Sequence, residues 1–201
     1  MKIGILLAAG GSTRFGKDKR VECLPDDTPI VLASSLNLKT VVDRLFVAIR
    51  ENDQALEGLL SAAGIEYVVC VAADLGMGHS LSDATRRVSQ KLESEGFKSC
   101  SCIVALADMP FIHPTSYQRV VAALEQGASI VRPEYQGHIG HPVGFSEKWW
   151  PNLMNLEGEQ GAKDLITDHA NELNIIACDD PGVILDIDRP EDLSSSLSNT
   201  P

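Results

Sequence analysis

Short apolar runs alternate with amphipathic patterns of helical period along this chain, and the alternation limits the fold more than any other feature of the sequence. The apolar runs predict strands at residues 3–8, 45–49, 67–71, 102–106, 129–132, 143–145, 173–176 and 183–185. The patterns between them predict helices at residues 28–40, 53–63, 80–95, 114–126, 147–156, 162–169 and 190–197. Strands and helices that alternate at this spacing predict an α/β fold with a mostly parallel sheet.

Individual residues indicate where several helices should begin. Asp53 and Ser80 are of the types that cap a helix, and Pro114 suits a first helical turn. We expect one domain over residues 1–193, followed by a polar tail at residues 194–201.

The chain has 201 residues and a formal net charge of −11, which argues against a general surface for nucleic acid or anionic membrane. Six of its basic residues nevertheless lie in the first forty positions, so a local cationic pocket could hold a small anion. We find no secretion signal, no apolar run of membrane-spanning length and no zinc spacing among the five cysteines. We therefore expect a cytoplasmic protein with reduced cysteines.

The first predicted strand runs directly into a loop of glycine, hydroxyl and basic residues, at positions 8–20. Small residues let the backbone approach a ligand, and N–H groups beside cations at the end of a strand suit a phosphate chain. We therefore predict that this loop binds a nucleoside triphosphate. Gly11 and Gly16-Lys17 have the spacing of a P-loop, but Asp18 follows where a P-loop carries Ser or Thr for Mg²⁺.

Ligands of parallel sheets bind beyond the carboxyl ends of the strands, and two later loops at such positions are distinctive. Gly76 and Gly78 precede Ser80, so the N–H groups of a helix start could meet an anion or the edge of a base. Asp108 lies two positions after the end of the run at 102–106, and a carboxylate in that position suits Mg²⁺.

Two segments near the end of the chain could complete a site. Asp186 and Asp188 alternate on an extended run and should face the same way, so one of them could join Asp108 at a metal; we favour Asp188. The run at 132–145 is rich in Gly, Pro and His, which predicts a tight excursion between two strands. His141 within it could bind substrate or have a structural role.

In their order along the chain, these segments resemble the molybdenum cofactor cytidylyltransferase and guanylyltransferase group of MobA-like, GT-A-like nucleotidyltransferases. The resemblance covers nearly the whole chain, at residues 7–19, 76–81, 106–111, 140–143, 158–162 and 186–192. It implies a single Rossmann-like α/β/α sandwich, mostly parallel, with a small antiparallel excursion.

The resemblance also implies an activity. A nucleotidyl group would pass from an NTP to the terminal phosphate of molybdopterin, with release of pyrophosphate, and the Leu-Ala-Ala-Gly start of the loop favours CTP over GTP. Mg²⁺ would be held by Asp108 and Asp188, with Asp186 as the alternative to Asp188. A molybdoenzyme or its chaperone could receive the product, whereas neither nucleic acid nor membrane is an expected partner.

Roles for individual residues follow from the same resemblance. The catalytic residues would be Arg14, Lys19 and Asp108. The nucleotide would be bound by Leu7, Ala8, Ala9, Gly10, Gly11, Ser12, Arg14, Lys19, Gly76, Gly78, Ser80 and Asp108. The acceptor would be bound by Met109, Pro110, Gly140 and His141.

One departure from the family pattern leaves alternatives open. Four residues, among them Glu22, separate Lys19 from Leu24-Pro25, where the family has two or three. The phosphate contact could therefore fall to Lys17, Lys19 or Arg20, and the acceptor could be a sugar phosphate. A guanylyltransferase on the same cofactor, a P-loop-type phosphohydrolase or kinase, and a non-catalytic nucleotide sensor are the competing functions.

Overall fold

A computed structural model describes residues 1–10, 15–97 and 100–195 of the chain. Its strands are β1 (Lys2–Leu7), β2 (Arg44–Arg50), β3 (Glu66–Cys70), β4 (Ser101–Leu106), β5 (Ile130–Tyr135), β6 (His138–Ile139), β7 (Val143–Phe145) and β8 (Leu173–Ala177). Its helices are α1 (Ile30–Lys39), α2 (Gln54–Ala62), α3 (Met77–Ser94), α4 (Pro114–Glu125), α5 (Trp150–Leu153), α6 (Lys163–Asp168) and α7 (Asp192–Ser195).

The strands form one sheet in the order β3-β2-β1-β4-β7-β5-β6, and β8 also pairs with β5. Pairing is parallel between β1 and β2, β1 and β4, β2 and β3, and β5 and β8. Strand β7 is antiparallel to both β4 and β5, and β6 is antiparallel to β5. The predicted sheet, mostly parallel with a small antiparallel excursion, is confirmed.

Helices cover both faces of the sheet because neighbouring residues of the strands point to opposite sides. In β1, Leu6 packs into a core that includes residues of α1, α2 and α4, whereas Ile5 packs into a second core with residues of α3, α5 and α6. Both side chains are fully buried. The resulting α/β/α sandwich places the carboxyl ends of β1, β2, β3 and β4 along one edge of the sheet, where the site lies.

Several of the predicted elements differ in the structure. The helix predicted at 147–156 is a 3₁₀ turn at Glu147–Trp149 followed by the short α5. The run at 183–185 is not a strand but part of a 3₁₀ turn at Pro181–Ile184, because the Asp180 carboxylate accepts a hydrogen bond from the Gly182 amide. Helix α3 begins at Met77 rather than at Ser80, and the Ser80 hydroxyl donates to the Gly76 carbonyl inside the first turn. Ser80 is therefore not the cap that its residue type suggested.

The predictions for two other helix starts are confirmed. Asp53 caps α2 by accepting from the Leu56 amide, and Pro114 occupies the first position of α4. All five cysteines are free thiols. Across the described parts of the chain, none of the helices combines the length and the apolar character that crossing a membrane requires.

Candidate active site

A crevice of about 410 Å³ opens at the carboxyl ends of β1, β2, β3 and β4. Its walls include several residues that the sequence predicted to bind nucleotide. The lining residues are Leu7, Ala9, Gly10, Arg50, Ala73, Asp74, Gly76, Met77, Ser80, Leu106, Asp108 and Glu159. Ala9 and Gly10 after β1 thus line the same crevice as Gly76, the N-cap of α3, although they are far apart in sequence.

Three carboxylates come together beside this crevice. One oxygen from each of Asp108, Asp186 and Asp188 lies within 4.8 Å of the others. The Ile187 amide donates to the Asp108 carbonyl at 2.8 Å, and the Ile187 side chain is buried against Phe15. This backbone bond ties the segment at 186–188 to the end of β4, so the three acids meet without belonging to adjacent strands.

The ammonium of Lys19 lies among these acids. Its Nζ donates to Asp108 Oδ2 at 2.8 Å, to Asp188 Oδ1 at 3.0 Å and to the Ile187 carbonyl at 2.7 Å. Burial by itself would lower the pKa of Lys19, but the bonds to Asp108 and Asp188 outweigh it and raise the pKa, so the side chain stays charged. Lys19 therefore already serves as a cation for the carboxylates.

The donor set suits a divalent metal. Carboxylate oxygens are preferred ligands of hard cations such as Mg²⁺, and three carboxylates lie together here. The pKa of Asp186 is raised by burial and by the negative charges of Asp188 and Asp108. Asp108 with Asp186 or Asp188 could hold the ion.

Arg20 follows Lys19 directly but points the opposite way, into a second ion cluster. Its guanidinium bonds to Asp18 through Nε at 2.7 Å and Nη2 at 2.6 Å, and its Nη1 donates to the Ala8 carbonyl at 2.6 Å. The same Nη1 lies 2.7 Å from Asp53 Oδ2. Arg20 is only 3% exposed, so it is not placed to meet a phosphate in the crevice.

Two further charged residues of the described part of this loop, Asp18 and Lys17, also form ion pairs. The pKa of Asp18 is lowered, chiefly by its hydrogen bond to Arg20, so this acid stays ionised with its charge balanced. Lys17 Nζ lies 2.5 Å from Glu22 Oε2, and its side chain is largely exposed. These contacts show how the loop accommodates the two acids, Asp18 and Glu22, that depart from a simple phosphate cradle.

Gly76 and Gly78, at the start of α3, must be glycines because any side chain there would clash with a neighbouring segment. A Cβ at Gly76 would lie 2.6 Å from the Gly158 carbonyl oxygen, and one at Gly78 would lie 2.3 Å from that of Glu157. The Gly78 amide donates to the Gly158 carbonyl at 2.8 Å and so is already used within the protein. The glycines let the segment at 157–159 dock here, which brings Glu159 into the crevice wall.

The segment predicted to meet the acceptor contacts the chain just before the acids at 186 and 188. A Cβ at Gly140 would lie 2.0 Å from the Val183 carbonyl oxygen, which also accepts from the His141 amide at 2.8 Å. The turn therefore packs on the chain leading to Asp186. Burial, with the nearby charge of Arg132, lowers the pKa of His141 to about 4, so its ring is neutral at neutral pH.

Two predicted acceptor residues are core residues by position. Met109 is 3% exposed and packs with the helices on one face of the sheet. Pro110 is also buried, and its carbonyl accepts a bond from the Asn37 side chain at 3.0 Å. Neither residue is among those that line the crevice. The predicted roles of Gly11, Ser12 and Arg14 fall on residues outside the described part of the chain.

Arg50, Asp74, Met77 and Glu159 line the crevice but were not predicted from the sequence. Arg50 is the last residue of β2, and it pairs with Asp53 at 3.4 Å while remaining partly exposed. Its position at the carboxyl end of a strand is a signal in the sequence, because ligands of parallel sheets lie beyond strand ends.

Comparison with known proteins agrees with this architecture. The chain is 26% identical over 204 residues to the purine catabolism protein PucB of Bacillus subtilis (strain 168), covering 94% of this chain and 93% of PucB. Rv0371c from Mycobacterium tuberculosis H37Rv matches with a TM-score of 0.80 at 24% identity, over 98% of this chain and 97% of that one. A complex of Rv0371c with manganese matches with a TM-score of 0.77 at 25% identity, over 100% of both chains.

The family itself is established by a match that spans most of the domain. Residues 4–173 match the MobA-like NTP transferase domain, which includes the crevice, Lys19 and Asp108. The chain belongs to the MobA-like NTP transferase family and is a nucleotidyltransferase.

Proposed function

We propose that this nucleotidyltransferase moves a cytidylyl group from CTP to the terminal phosphate of molybdopterin and releases pyrophosphate. The observation that carries the proposal is the crevice beside the Asp108–Asp186–Asp188 carboxylates, with Lys19 among them. The choice of CTP and of molybdopterin rests on the resemblance of the sequence motifs to the cofactor cytidylyltransferases. The name of PucB, a purine catabolism protein, is compatible with more than one acceptor.

A Mg²⁺ ion would be held by Asp108 and Asp188, with Asp186 as the alternative ligand. When bound, it would draw negative charge from the triphosphate and stabilise the charge that builds up on the leaving pyrophosphate. The manganese complex of Rv0371c, a protein of the same fold, supports a divalent ion in such a site. The raised pKa of Lys19 keeps a positive charge within reach of the same phosphates.

The reaction needs positioning more than it needs proton transfer. An oxygen of the acceptor phosphate attacks the α-phosphorus of the nucleotide, a new P–O bond forms, and the α–β phosphoanhydride bond breaks. Because the attacking phosphate is already anionic, the protein does not have to supply a general base. Its contribution is to align the two phosphates in the crevice and to compensate their charge through Lys19 and, in our proposal, Arg14.

The nucleotide and the acceptor would lie on opposite sides of the carboxylates. Ala9, Gly10 and the glycine loop before α3 line the crevice, so they would face the nucleotide. Gly140 and His141 pack on the segment that leads to Asp186, so they would face the acceptor. A neutral His141 ring could donate or accept a hydrogen bond without adding charge.

The donor can be identified by thermal-shift titration of the protein with CTP, GTP, ATP and UTP, each with Mg²⁺. Because a ligand that binds only the folded state raises Tm, a selective rise with CTP is expected. A selective rise of Tm with GTP would indicate that the enzyme transfers a guanylyl group rather than a cytidylyl group. If none of the four nucleotides raised Tm, the proposed function would be wrong.

The acceptor is tested by pyrophosphate release with the identified donor. We expect release with molybdopterin cofactor and none with sugar phosphates such as glucose 1-phosphate. Release of pyrophosphate with a sugar phosphate but not with molybdopterin cofactor would agree with a nucleotidyltransferase and would exclude the proposed acceptor. Release of orthophosphate rather than pyrophosphate would indicate a phosphohydrolase instead.

A further inference from the structure

The guanidinium of Arg20 donates hydrogen bonds from all three of its nitrogens. Arg20 itself belongs neither to the crevice wall nor to the cluster of Asp108, Asp186 and Asp188. It makes a two-pronged bond to Asp18, at 2.7 and 2.6 Å, and the Arg20 amide also donates to Asp18 at 3.1 Å. Its remaining nitrogen donates to the Ala8 carbonyl at 2.6 Å and pairs with Asp53. A buried arginine with such complete pairing holds its neighbours at fixed distances.

The position of these partners along the chain is informative. Ala8 immediately follows β1, and Asp18 immediately precedes the 3₁₀ turn that carries Lys19. Arg20 therefore bonds to the chain just before and just after the loop formed by residues 9–17. Ala9 and Gly10, at the start of this loop, line the crevice.

We infer that Arg20 is a positioning residue, which holds Ala8 and Asp18 at a fixed separation before the triphosphate binds, so that Ala9 and Gly10 already line the crevice. A loop with separated ends would lose conformational entropy on binding, and the affinity would fall accordingly. The inference rests on the proposed function in one respect, since it takes an NTP as the ligand. The Asp18–Arg20 bond also fixes the 3₁₀ turn from which Lys19 reaches Asp108.

Asp18 gives a test in which two explanations predict opposite signs. If Asp18 acted only as a negative charge near the triphosphate, Asp18→Asn would remove a repulsion and tighten NTP binding. If Asp18 is the partner through which Arg20 closes the loop, Asp18→Asn loses the two-pronged charged bond and weakens NTP binding. Asp53→Asn is the matched control, because it also removes an acidic partner of Arg20 but lies outside the loop and keeps its capping oxygen.

The experiment measures the Kd of the Mg²⁺–CTP complex by calorimetry for the wild type, Asp18→Asn and Asp53→Asn, together with the Tm of each. We expect Asp18→Asn to raise Kd about tenfold and Asp53→Asn to leave it within about twofold, even where the two variants lose similar Tm. Tighter or unchanged binding by Asp18→Asn would overturn the inference. An equal rise in both variants would also overturn it, since the cluster would then act through overall stability.

A second measurement does not depend on nucleotide. The ¹H–¹⁵N heteronuclear NOE of the Gly10 and Gly16 amides reports fast motion at the two ends of the loop. It should fall in Asp18→Asn and stay at the wild-type value in Asp53→Asn. If the wild type bound no NTP, the proposed function would fail, whereas unchanged NOE values in Asp18→Asn would refute the loop closure itself.

Discussion

Lys19 and Arg20 are adjacent in sequence, yet they belong to two ion clusters of opposite character. The metal-site cluster places the Lys19 ammonium among three carboxylates, those of Asp108, Asp186 and Asp188. The loop-closing cluster matches two arginines, Arg20 and Arg50, with the carboxylates of Asp18 and Asp53.

The two clusters differ in burial and in the ligand atoms that they offer. The metal-site cluster brings three carboxylates to the edge of a crevice, and carboxylate oxygens are the ligands that a divalent cation prefers. In the loop-closing cluster two acids pair with two arginines, and the inner pair of Arg20 and Asp53 is only 3% and 4% exposed. A buried ion pair fixes geometry, whereas carboxylates beside a crevice can reach a ligand.

The largest expected effect tests the metal-site cluster. Asp108→Asn keeps the shape of the side chain but removes a charge from the group that would hold the metal. We expect pyrophosphate release to fall about 10³-fold, the size of effect seen when a group that stabilises transition-state charge is removed. Circular dichroism should show an intact fold.

Asp168→Asn provides the control for this variant, because Asp168 is an exposed acid at the end of α6. Its rate should equal that of the wild type. Normal turnover by Asp108→Asn would show that Asp108 does not hold a metal. The proposed difference between the two clusters would then be wrong.

The second effect tests the support role of the loop-closing cluster. Arg20→Met should lower the free energy of unfolding by about 3 kcal/mol, because it leaves Asp53 buried with less compensation. Urea unfolding measures the change. Arg44→Met is the comparison, since Arg44 pairs with the more exposed Glu66 and Glu95 and should cost about 1 kcal/mol or less. Equal losses would mean that burial does not distinguish the two sets of ion pairs.

The third effect concerns the cation that already lies in the metal-site cluster. If Lys19 partly neutralises the carboxylates, Lys19→Met should tighten the binding of Mn²⁺ alone about tenfold while weakening the binding of CTP. Electron paramagnetic resonance of free Mn²⁺ measures the first change. Lys17→Met, which removes an exposed lysine paired with Glu22, should leave Mn²⁺ affinity unchanged. Weaker Mn²⁺ binding by Lys19→Met would indicate that the ion binds elsewhere.

The smallest effect concerns acid stability. Because Arg20 lowers the pKa of Asp18, the ionised carboxylate stabilises the fold above the ordinary value of 3.8, and this contribution is lost as the pH falls through the lowered pKa. The free energy of unfolding should therefore decline more steeply below pH 3.8 in the wild type than in Asp18→Asn. Parallel curves would mean that Asp18 gains nothing from its pairing in the folded state.

The sequence patterns predicted the sheet well and the helix starts less well. Strands such as β4 are continuous apolar runs because both faces of the sheet are covered, and such runs are readable without a structure. The prediction of Ser80 as a helix cap is wrong because α3 begins three residues earlier, after Gly76. That start depends on the segment at 157–159, which packs against Gly76 and Gly78. That contact joins positions about 80 residues apart and leaves no local signal.

The candidate site likewise contains residues that the sequence predicted and contacts that it could not predict. Asp108 was predicted from its position after a strand, and the acids at 186 and 188 from their spacing, although the predicted strand at 183–185 is a turn. The separate roles of Lys17, Lys19 and Arg20 could not be predicted, because basic residues so close together look alike in sequence. Their partners, Glu22, Asp108 and Asp53, lie at quite different separations along the chain.

The sequence by itself determined the α/β class, the family and the residue types at the strand ends, because periodicity and motif order are properties of the chain alone. Only the tertiary structure decided which charges meet. The parallel pairing of β1 with β2 and β4 brings the loop after β1 beside Asp53 on one side and Asp108 on the other. From that loop Lys19 reaches the metal-site cluster, whereas Arg20 turns inward to the loop-closing cluster, because ion pairs depend on distances in space that sequence separation does not report.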